Sequence, residues 1–320
     1  MNAFLAELGK QLVTRWTVAL MVPGALFAGA VVLAHVLGHQ QAVDLRALPV
    51  GLDGLTATPA GGRGTALLIA VAAFLLGAAA AGLTAQAVGV FVAWTWSLGG
   101  SVPVLRRLVD RRRRRWEQAD AGVAEAERAL LVDTADPALR ARARRAIARR
   151  AAVCLVEPER PTWIGDRLHA ADVRVHRSYR VDLVTVWPRL WLVLPDEVRG
   201  ELAAVQDRCA SAARLAGWGV LYAALGAFWW PALVIGLATL LTARYRARLA
   251  VGVYTDLVEA AVDLHGRDLA VQLGLPCPGP LTAELGEQIT AIVRKDDLVP
   301  RSRRAVSAAT AHPPRSMPHP

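Results

Sequence analysis

Lysine, cysteine and aromatic residues are all scarce in this sequence of 320 residues. Only Lys10 and Lys295 are lysine among 37 basic residues, so 35 are arginine. Three cysteines, with no CxxC pair and no histidine at finger spacing, exclude a disulfide framework and argue against a structural zinc site. Yet 54% of the residues are hydrophobic and the net charge is +10. Apolar and charged residues must therefore occupy separate segments, which argues against an ordinary soluble domain and a disordered chain.

Three uncharged runs predict membrane-spanning helices, each of which needs about 20 residues. Residues 16–37 hold 22 residues without a formal charge, longer than the core of a cleaved signal, about 7–15 residues. We therefore expect an uncleaved first span, preceded by a short interfacial helix over residues 4–12. Residues 64–105 form an uncharged run of 42 residues, which places a second span near 66–90.

The third run, residues 215–243, fits either one tilted span or a tight hairpin that turns at Trp229-Trp230-Pro231. Residues 106–115 carry a net charge of +6 beside the second span, which predicts a cytoplasmic location by the positive-inside rule. A single third span would place the arginines of residues 244–248 on the outside, whereas a hairpin keeps them inside. The charge pattern favours the hairpin, and hence four spans with both termini cytoplasmic.

A helical cytoplasmic insert is predicted between the second span and the hairpin. Its residues 106–150 hold 14 arginines and 7 acids. Four residues spaced by seven, with Ala119 and Ala126 each four residues before the next, predict a short coiled-coil-like seam: Val109, Trp116, Val123 and Leu130. Asp136-Pro137 predicts the start of a second, antiparallel helix.

The basic stretch most simply sets the membrane topology and attracts anionic lipid. Its arginines and those after the hairpin are the predicted head-group contacts: Arg106, Arg107, Arg111, Arg112, Arg113, Arg114, Arg115, Arg244, Arg246 and Arg248. An acidic protein partner in the cytoplasm is the alternative. Nucleic-acid binding is disfavoured, because no base-stacking platform accompanies the arginines.

The most distinctive motif lies in the second half of the insert. It comprises Pro161-Thr162-Trp163-Ile164-Gly165-Asp166, then Tyr179 and Asp182, then Trp187-Pro188-Arg189-Leu190, and finally Tyr254 with Asp263-Leu264-His265-Gly266-Arg267 after the hairpin. Thr162 is the predicted cap of a helix that runs to about Arg177. Over residues 150–275 the chain resembles a largely uncharacterised group of bacterial multi-pass membrane proteins that share these motifs. Arg180 stands where that group usually has glycine. The resemblance implies the architecture and the location in the bacterial inner membrane, and it supplies no activity.

Candidate chemistry is sparse. Asp166, His169, Asp172 and His176 fall within one arc of a predicted helix and are candidate metal ligands, although a salt-bridged solvated face is the simpler interpretation. Cys154, beside an arginine-rich helix, is expected to be a buried structural residue. The sequence has no nucleophile elbow, P-loop or dinucleotide fingerprint. We therefore expect a protein that is not an enzyme and uses no cofactor.

Small residues recur every four positions along the predicted spans. Gly77, Ala81, Ala85 and Gly89 do so in the second span. Such stripes let helices approach closely in lipid, either within the chain or between copies in a homo-oligomer. Ionisable residues are absent from the depth of the spans, where Thr84 and Gln86 are the only polar residues well inside the second span. This disfavours a coupled transporter.

The predicted fold is therefore an all-α integral membrane protein with four spans. Its segments are residues 1–98 with the first two spans, the arginine-rich insert 99–208, the hairpin 209–250, the cytoplasmic helices 251–298 and a disordered tail 299–320. The leading functional hypothesis is a membrane-anchored scaffold, sensor or regulatory partner that presents its cytoplasmic helices. An oligomeric pore-forming effector is the first alternative, and a metal-dependent membrane enzyme is the second.

Overall fold

The computed structural model describes residues 21–38, 63–96, 98 and 103–295. The predicted interfacial helix, the first residues of the first span, most of the loop 38–64 and the tail lie outside these ranges. Within them the chain is helical and contains no strand, which confirms the all-α prediction. The helices are α1 (Val22–Leu37), α2 (Arg63–Trp96), α3 (Pro103–Val132), α4 (Pro137–Val153), α5 (Trp163–Tyr179), α6 (Leu183–Val193), α7 (Asp196–Leu225), α8 (Trp230–Gln272) and α9 (Ala283–Arg294).

The chain divides into two compact units. Unit 1 comprises residues 1–98 and 205–251, and unit 2 comprises residues 99–204 and 252–320. Helices α7 and α8 each contribute residues to both units. The two segments that the sequence predicts to be cytoplasmic, before and after the hairpin, thus belong to one structural unit.

Short polar residues start several helices of unit 2. The carboxylate of Asp136 accepts the backbone N–H of Ala138 at 2.7 Å, and Pro137 occupies the first turn of α4. The hydroxyl of Thr162 accepts the N–H of Gly165 at 3.0 Å at the start of α5. Both caps are predicted by the sequence and confirmed, because each satisfies an amide that the first helical turn leaves without a partner.

Unit 2 has the core of a water-soluble protein, with large apolar side chains inside. Leu190, Leu202 and Ile289 are among its most buried side chains. The apolar segment 181–194, which is too short to span a membrane, forms α6 within this core. The core joins residues from both sides of the hairpin, and includes Val175, Val181, Val186, Leu194, Val258, Val262, Leu269, Leu285 and Val293.

In unit 1 small residues make the closest contacts between helices, and the large apolar side chains are on the outside. A Cβ atom added to Gly24 of α1 would lie 2.2 Å from the carbonyl oxygen of Ala78 in α2. A Cβ atom on Gly217 of α7 would lie 2.0 Å from the carbonyl oxygen of Ala85. The large apolar side chains point outwards instead: Leu68, Ile69, Leu76, Leu83, Val90, Phe91, Val234, Leu237, Leu241 and Leu249 are exposed.

The Trp-Trp-Pro sequence lies at the start of a second helix, with Trp229 just before it and Trp230 and Pro231 in its first turn. Helix α7 ends at Leu225 and α8 begins at Trp230, with turns between them. The helices pack side by side, since an added Cβ atom on Gly236 would lie 2.5 Å from the backbone nitrogen of Ala223. Helix α8 then continues without a break to Gln272, so the first of the helices predicted within residues 251–298 is a continuation of the hairpin and not a separate helix.

One segment among the described residues, Leu68–Trp96 in α2, is long and apolar enough to cross a membrane. Helix α1 is apolar but has only 16 residues in its described part. Neither α7 nor α8 contains a stretch of that length that is apolar enough to meet the same criterion. The four-span arrangement therefore stays a prediction at this point.

Candidate functional site

The buried carboxylate of Asp166 is the centre of the first motif. Its side chain is 1% exposed, and its Oδ1 accepts the backbone N–H groups of Glu159 at 2.9 Å and Arg160 at 2.7 Å. Its Oδ2 accepts Nε of Arg112 at 2.8 Å and Nη2 of the same guanidinium at 2.7 Å. Asp166 therefore joins α3 and the linker before α5 through charge-assisted hydrogen bonds.

Arg112 and Trp116, one turn apart on α3, also hold the end of α4. Nη2 of Arg112 donates to the carbonyl of Val153 at 3.2 Å, and the indole of Trp116 donates to that of Cys154 at 3.1 Å. Burial raises the pKa of the Cys154 thiol, and this outweighs the opposite effect of hydrogen bonds and Arg112. The thiol therefore stays protonated at neutral pH and is a poor nucleophile.

A row of polar contacts joins α5 to the part of α8 in unit 2. Nη2 of Arg167 lies 2.7 Å from a carboxylate oxygen of Asp256. Nη2 of Arg174 lies 3.1 Å from Oε2 of Glu259, a carboxyl whose pKa is raised by burial despite that arginine. These contacts fix the packing of the two helices.

Tyr179 and Asp182 complete the motif at the C-terminal end of α5. The hydroxyl of Tyr179 donates to Asp263 at 2.9 Å, which raises the pKa of the tyrosine. Asp182 caps α6 by accepting the N–H of Thr185 at 3.3 Å, and it forms an ion pair with Arg294 of α9. Burial alone would raise the pKa of Asp182, but Arg294 and Thr185 outweigh it and lower the pKa.

Arg180, between these two residues, ends α5 in a left-handed conformation with a φ of 56°. Glycine is favoured at such a helix end because a Cβ atom is strained there. In this chain the strain is carried by an exposed arginine.

The residues of the Trp187-Pro188-Arg189-Leu190 motif are divided between the core of unit 2 and its surface. Leu190 is buried in the core, and the ring of Trp187 lies 6.2 Å from that of Trp191. Pro188 and Arg189 are exposed, and Nη1 of Arg189 reaches the carbonyl of Thr185 at 3.3 Å. Pro161, at the other motif, is partly buried before the cap of α5.

The candidate metal ligands on α5 are held in separate environments. Asp166 is engaged by Arg112, and Nε2 of His169 lies 3.0 Å from Oε2 of Glu159. Asp172 is half-buried and His176 is exposed. Within the described ranges, no group of three or more histidine, cysteine or acidic side chains is placed to hold a metal ion.

The arginines of the insert lie on two packed helices, α3 and α4. Arg150 pairs with Asp120 at 2.6 Å and Arg142 pairs with Glu125 at 2.7 Å, an order that makes the pair antiparallel. Arg112 and Arg113 are partly buried, and the latter pairs with Glu157 at 2.7 Å. The remaining head-group candidates of α3 are exposed: Arg106, Arg107, Arg111, Arg114 and Arg115. On α8, Arg244 and Arg246 are exposed and Arg248 is half-buried.

An open groove lies between α3 and α4. It has a volume of about 560 Å³ and is lined by Gln118, Gly122, Glu125, Arg142, Arg145 and Arg149. Of the predicted seam, Val109, Val123 and Ala126 are buried. The exposed arginines around them leave this helical pair with a basic outer surface.

The small-residue stripe of α2 is only partly used within the chain. Ala85 and Gly89 are buried, and an added Cβ atom on Gly89 would lie 2.8 Å from the carbonyl oxygen of Ala213. Ala81 is half-buried, whereas Gly77 is exposed and has nothing within 4 Å of an added Cβ atom. The side of α2 that packs inside unit 1 instead runs through Ala78, Gly82, Ala85 and Gly89.

Comparisons of this chain with protein-family models, curated proteins and solved structures find no match.

Proposed function

We propose that the protein is a non-enzymatic integral membrane protein that anchors unit 2 at the cytoplasmic face of a bacterial inner membrane. In this proposal α1, α2 and the two adjoining halves of α7 and α8 are four spans. Unit 2 acts as a scaffold or regulatory partner, and its basic α3–α4 pair contacts anionic lipid or an acidic protein.

The packing of unit 1 carries this proposal. Leu76, Leu83 and Leu241 are 71%, 59% and 68% exposed, while glycine and alanine fill the helix contacts. A water-soluble monomer rarely exposes so many large apolar side chains on neighbouring helices. In lipid, by contrast, close approach of small residues drives helix association, and large side chains can face the acyl chains.

The arginine distribution supports the orientation. Arg244, Arg246 and Arg248 lie in α8 after the apolar residues that follow the turn at 226–229, and α3 begins soon after the end of α2. If α7 and α8 form a hairpin, the arginines of residues 244–248 and those of residues 106–115 in α3 face the same side of the membrane. The positive-inside rule makes that side cytoplasmic.

Reporter fusions to the full chain test the topology. Alkaline phosphatase, which is active only outside the cytoplasm, is expected to be inactive after Pro320 and active when inserted after Asp53. A fluorescent protein that matures only in the cytoplasm should give the reverse pattern. Phosphatase activity after Pro320, or release of the protein from membranes by alkaline carbonate, would contradict the four-span proposal.

Limited trypsin digestion of the reconstituted protein tests the role of the basic helical pair. Cleavage within residues 106–150 should be slower in vesicles containing phosphatidylglycerol than in pure phosphatidylcholine. High salt should remove the difference, because exposed charges are screened over about 3 Å at 1 M. Equal cleavage rates in the two lipids at low salt would argue against lipid contact and leave an acidic protein as the partner to seek.

A further inference from the structure

A small pocket with several polar side chains lies in the helix packing of unit 1. It lies between α2, α7 and α8 and has a volume of about 170 Å³, whereas a single water needs about 10–15 Å³ on the same scale. Its lining comprises Gly82, Gln86, Ser211, Arg214, Leu215, Trp218 and Arg246. The amide of Gln86, which stood out as a polar group inside the second predicted span, therefore has a polar environment.

The pocket has the chemistry of an anion site. Its polar side chains are two guanidinium groups, an amide, a hydroxyl and an indole, and no acidic residue lines it. Among the described residues, neither Arg214 nor Arg246 forms an ion pair. Two like charges around one pocket repel each other, and a bound anion removes that cost. The planar guanidinium group fits phosphate oxygens through paired hydrogen bonds.

The two arginines of the pocket lie near the places where the hairpin joins unit 2 along the chain. Ser211 and Arg214 belong to the part of α7 that enters unit 1, and Arg246 belongs to the part of α8 that leaves it. Gln86 lies further from a helix end, since α2 continues to Trp96. In the proposed topology this end of the hairpin is cytoplasmic, so the two guanidinium groups can extend to the level of the lipid phosphates while Gln86 lies deeper. The indole of Trp218 is suited to such an interface, because one edge is apolar and the other donates a hydrogen bond.

We propose that this pocket binds the phosphate of an anionic phospholipid, with Arg214 and Arg246 as the charged contacts and Gln86 and Ser211 as neutral donors. The proposal rests on the membrane insertion of unit 1 argued above. It goes further in assigning a discrete lipid site to a few residues, where the exposed arginines of α3 provide only a diffuse attraction.

Native mass spectrometry of the full chain in a neutral detergent tests the assignment, with phosphatidylglycerol, phosphatidylcholine and inorganic phosphate as probes. Wild type should retain one phosphatidylglycerol more tightly than phosphatidylcholine. The double substitution Arg214→Gln and Arg246→Gln should weaken that binding roughly tenfold or more, as expected for two charge-assisted contacts. Gln86→Leu, which leaves the charge unchanged, should weaken it less.

The matched control is the double substitution Arg208→Gln and Arg244→Gln, which removes the same charge from the same two helices outside the pocket. An equal loss in both double variants would overturn the pocket and leave only general electrostatic attraction. Equal retention of the two lipids would overturn charge recognition. Competition by millimolar inorganic phosphate would identify free phosphate, rather than lipid, as the ligand.

Carbonate extraction of the same variants separates this proposal from the one on which it rests. If wild type is washed from membranes, the membrane proposal fails. If all variants stay in the membrane and fold equally by circular dichroism, but lipid preference is unchanged by the pocket substitutions, only the pocket proposal fails.

Discussion

The strongest test of the motif in unit 2 is removal of the buried carboxylate of Asp166. Asp166→Ala leaves the guanidinium of Arg112 and two backbone N–H groups without their acceptor. Breaking a buried ion pair in this way costs about 3–5 kcal/mol. Because the side chain of Arg112 is 19% exposed, water partly compensates, and we expect a loss of about 3 kcal/mol. Asp166→Asn keeps one acceptor oxygen and should cost less.

Chemical labelling of the buried thiol of Cys154 provides the assay. The indole of Trp116 in α3 donates to the backbone carbonyl of Cys154, so the thiol becomes accessible when this contact opens. In a background with Cys209→Ser and Cys277→Ser, the rate of thiol labelling reports how often this region opens. A loss of about 3 kcal/mol should accelerate labelling roughly 150-fold, since each 1.4 kcal/mol is a factor of ten.

A matched control comes from the ion pair between Asp120 and Arg150 on the neighbouring helices, which is only partly buried, whereas Asp166 is fully buried. Asp120→Ala should change the labelling rate less than about fivefold, because ion pairs that water can reach contribute about 0–1 kcal/mol. An acceleration below tenfold for Asp166→Ala, or an equal acceleration for Asp120→Ala, would refute the role assigned to the buried carboxylate.

Three further predictions concern stability in detergent. Gly89→Ala should lower the free energy of unfolding by about 1–3 kcal/mol, and with it the thermal midpoint, because the added methyl group overpacks a helix contact. Gly77→Ala on the same helix should be neutral or stabilising. Equal losses in the two variants would contradict the packing described for α2. Arg180→Gly should stabilise by roughly 0.5–1 kcal/mol by relieving a positive φ, while Arg177→Gly in the preceding turn should destabilise by a similar amount. Asp182→Asn should destabilise at neutral pH, because the lowered pKa of Asp182 adds stability above its unfolded pKa of about 4. That difference should vanish in unfolding curves as the pH falls through the folded pKa, and a constant difference down to pH 2 would contradict the assignment.

Sequence reasoning worked best where a feature depends on a few neighbouring residues. The caps at Asp136 and Thr162 are determined within one helical turn, and both are confirmed. The partner of Asp166 is 54 residues away in α3, so no local spacing indicates it. The sequence alone makes Asp166 a candidate metal ligand, because it shows the helix face that this residue shares with two histidines but does not show its contact with Arg112.

The small-residue stripe shows a different limit. A strict spacing of four advances about 400° per step at 3.6 residues per turn, so the twelve residues from Gly77 to Gly89 drift by about 120° around α2. Gly77 and Gly89 therefore cannot face the same neighbour in a straight helix. The contacts follow a mixed spacing of four and three instead, through Ala78, Gly82, Ala85 and Gly89.

The composition of the unit 2 core has a consequence for biosynthesis. Leu190 and Leu202 leave the ribosome before the hairpin, whereas Val258 and Ile289, which complete their core, are made after it. At about 5–20 residues per second, the earlier half waits several seconds with its apolar surface uncovered. If the hairpin between these two segments inserts into the membrane as proposed above, a stall during its insertion would prolong this exposure and favour aggregation of the unfinished half of unit 2.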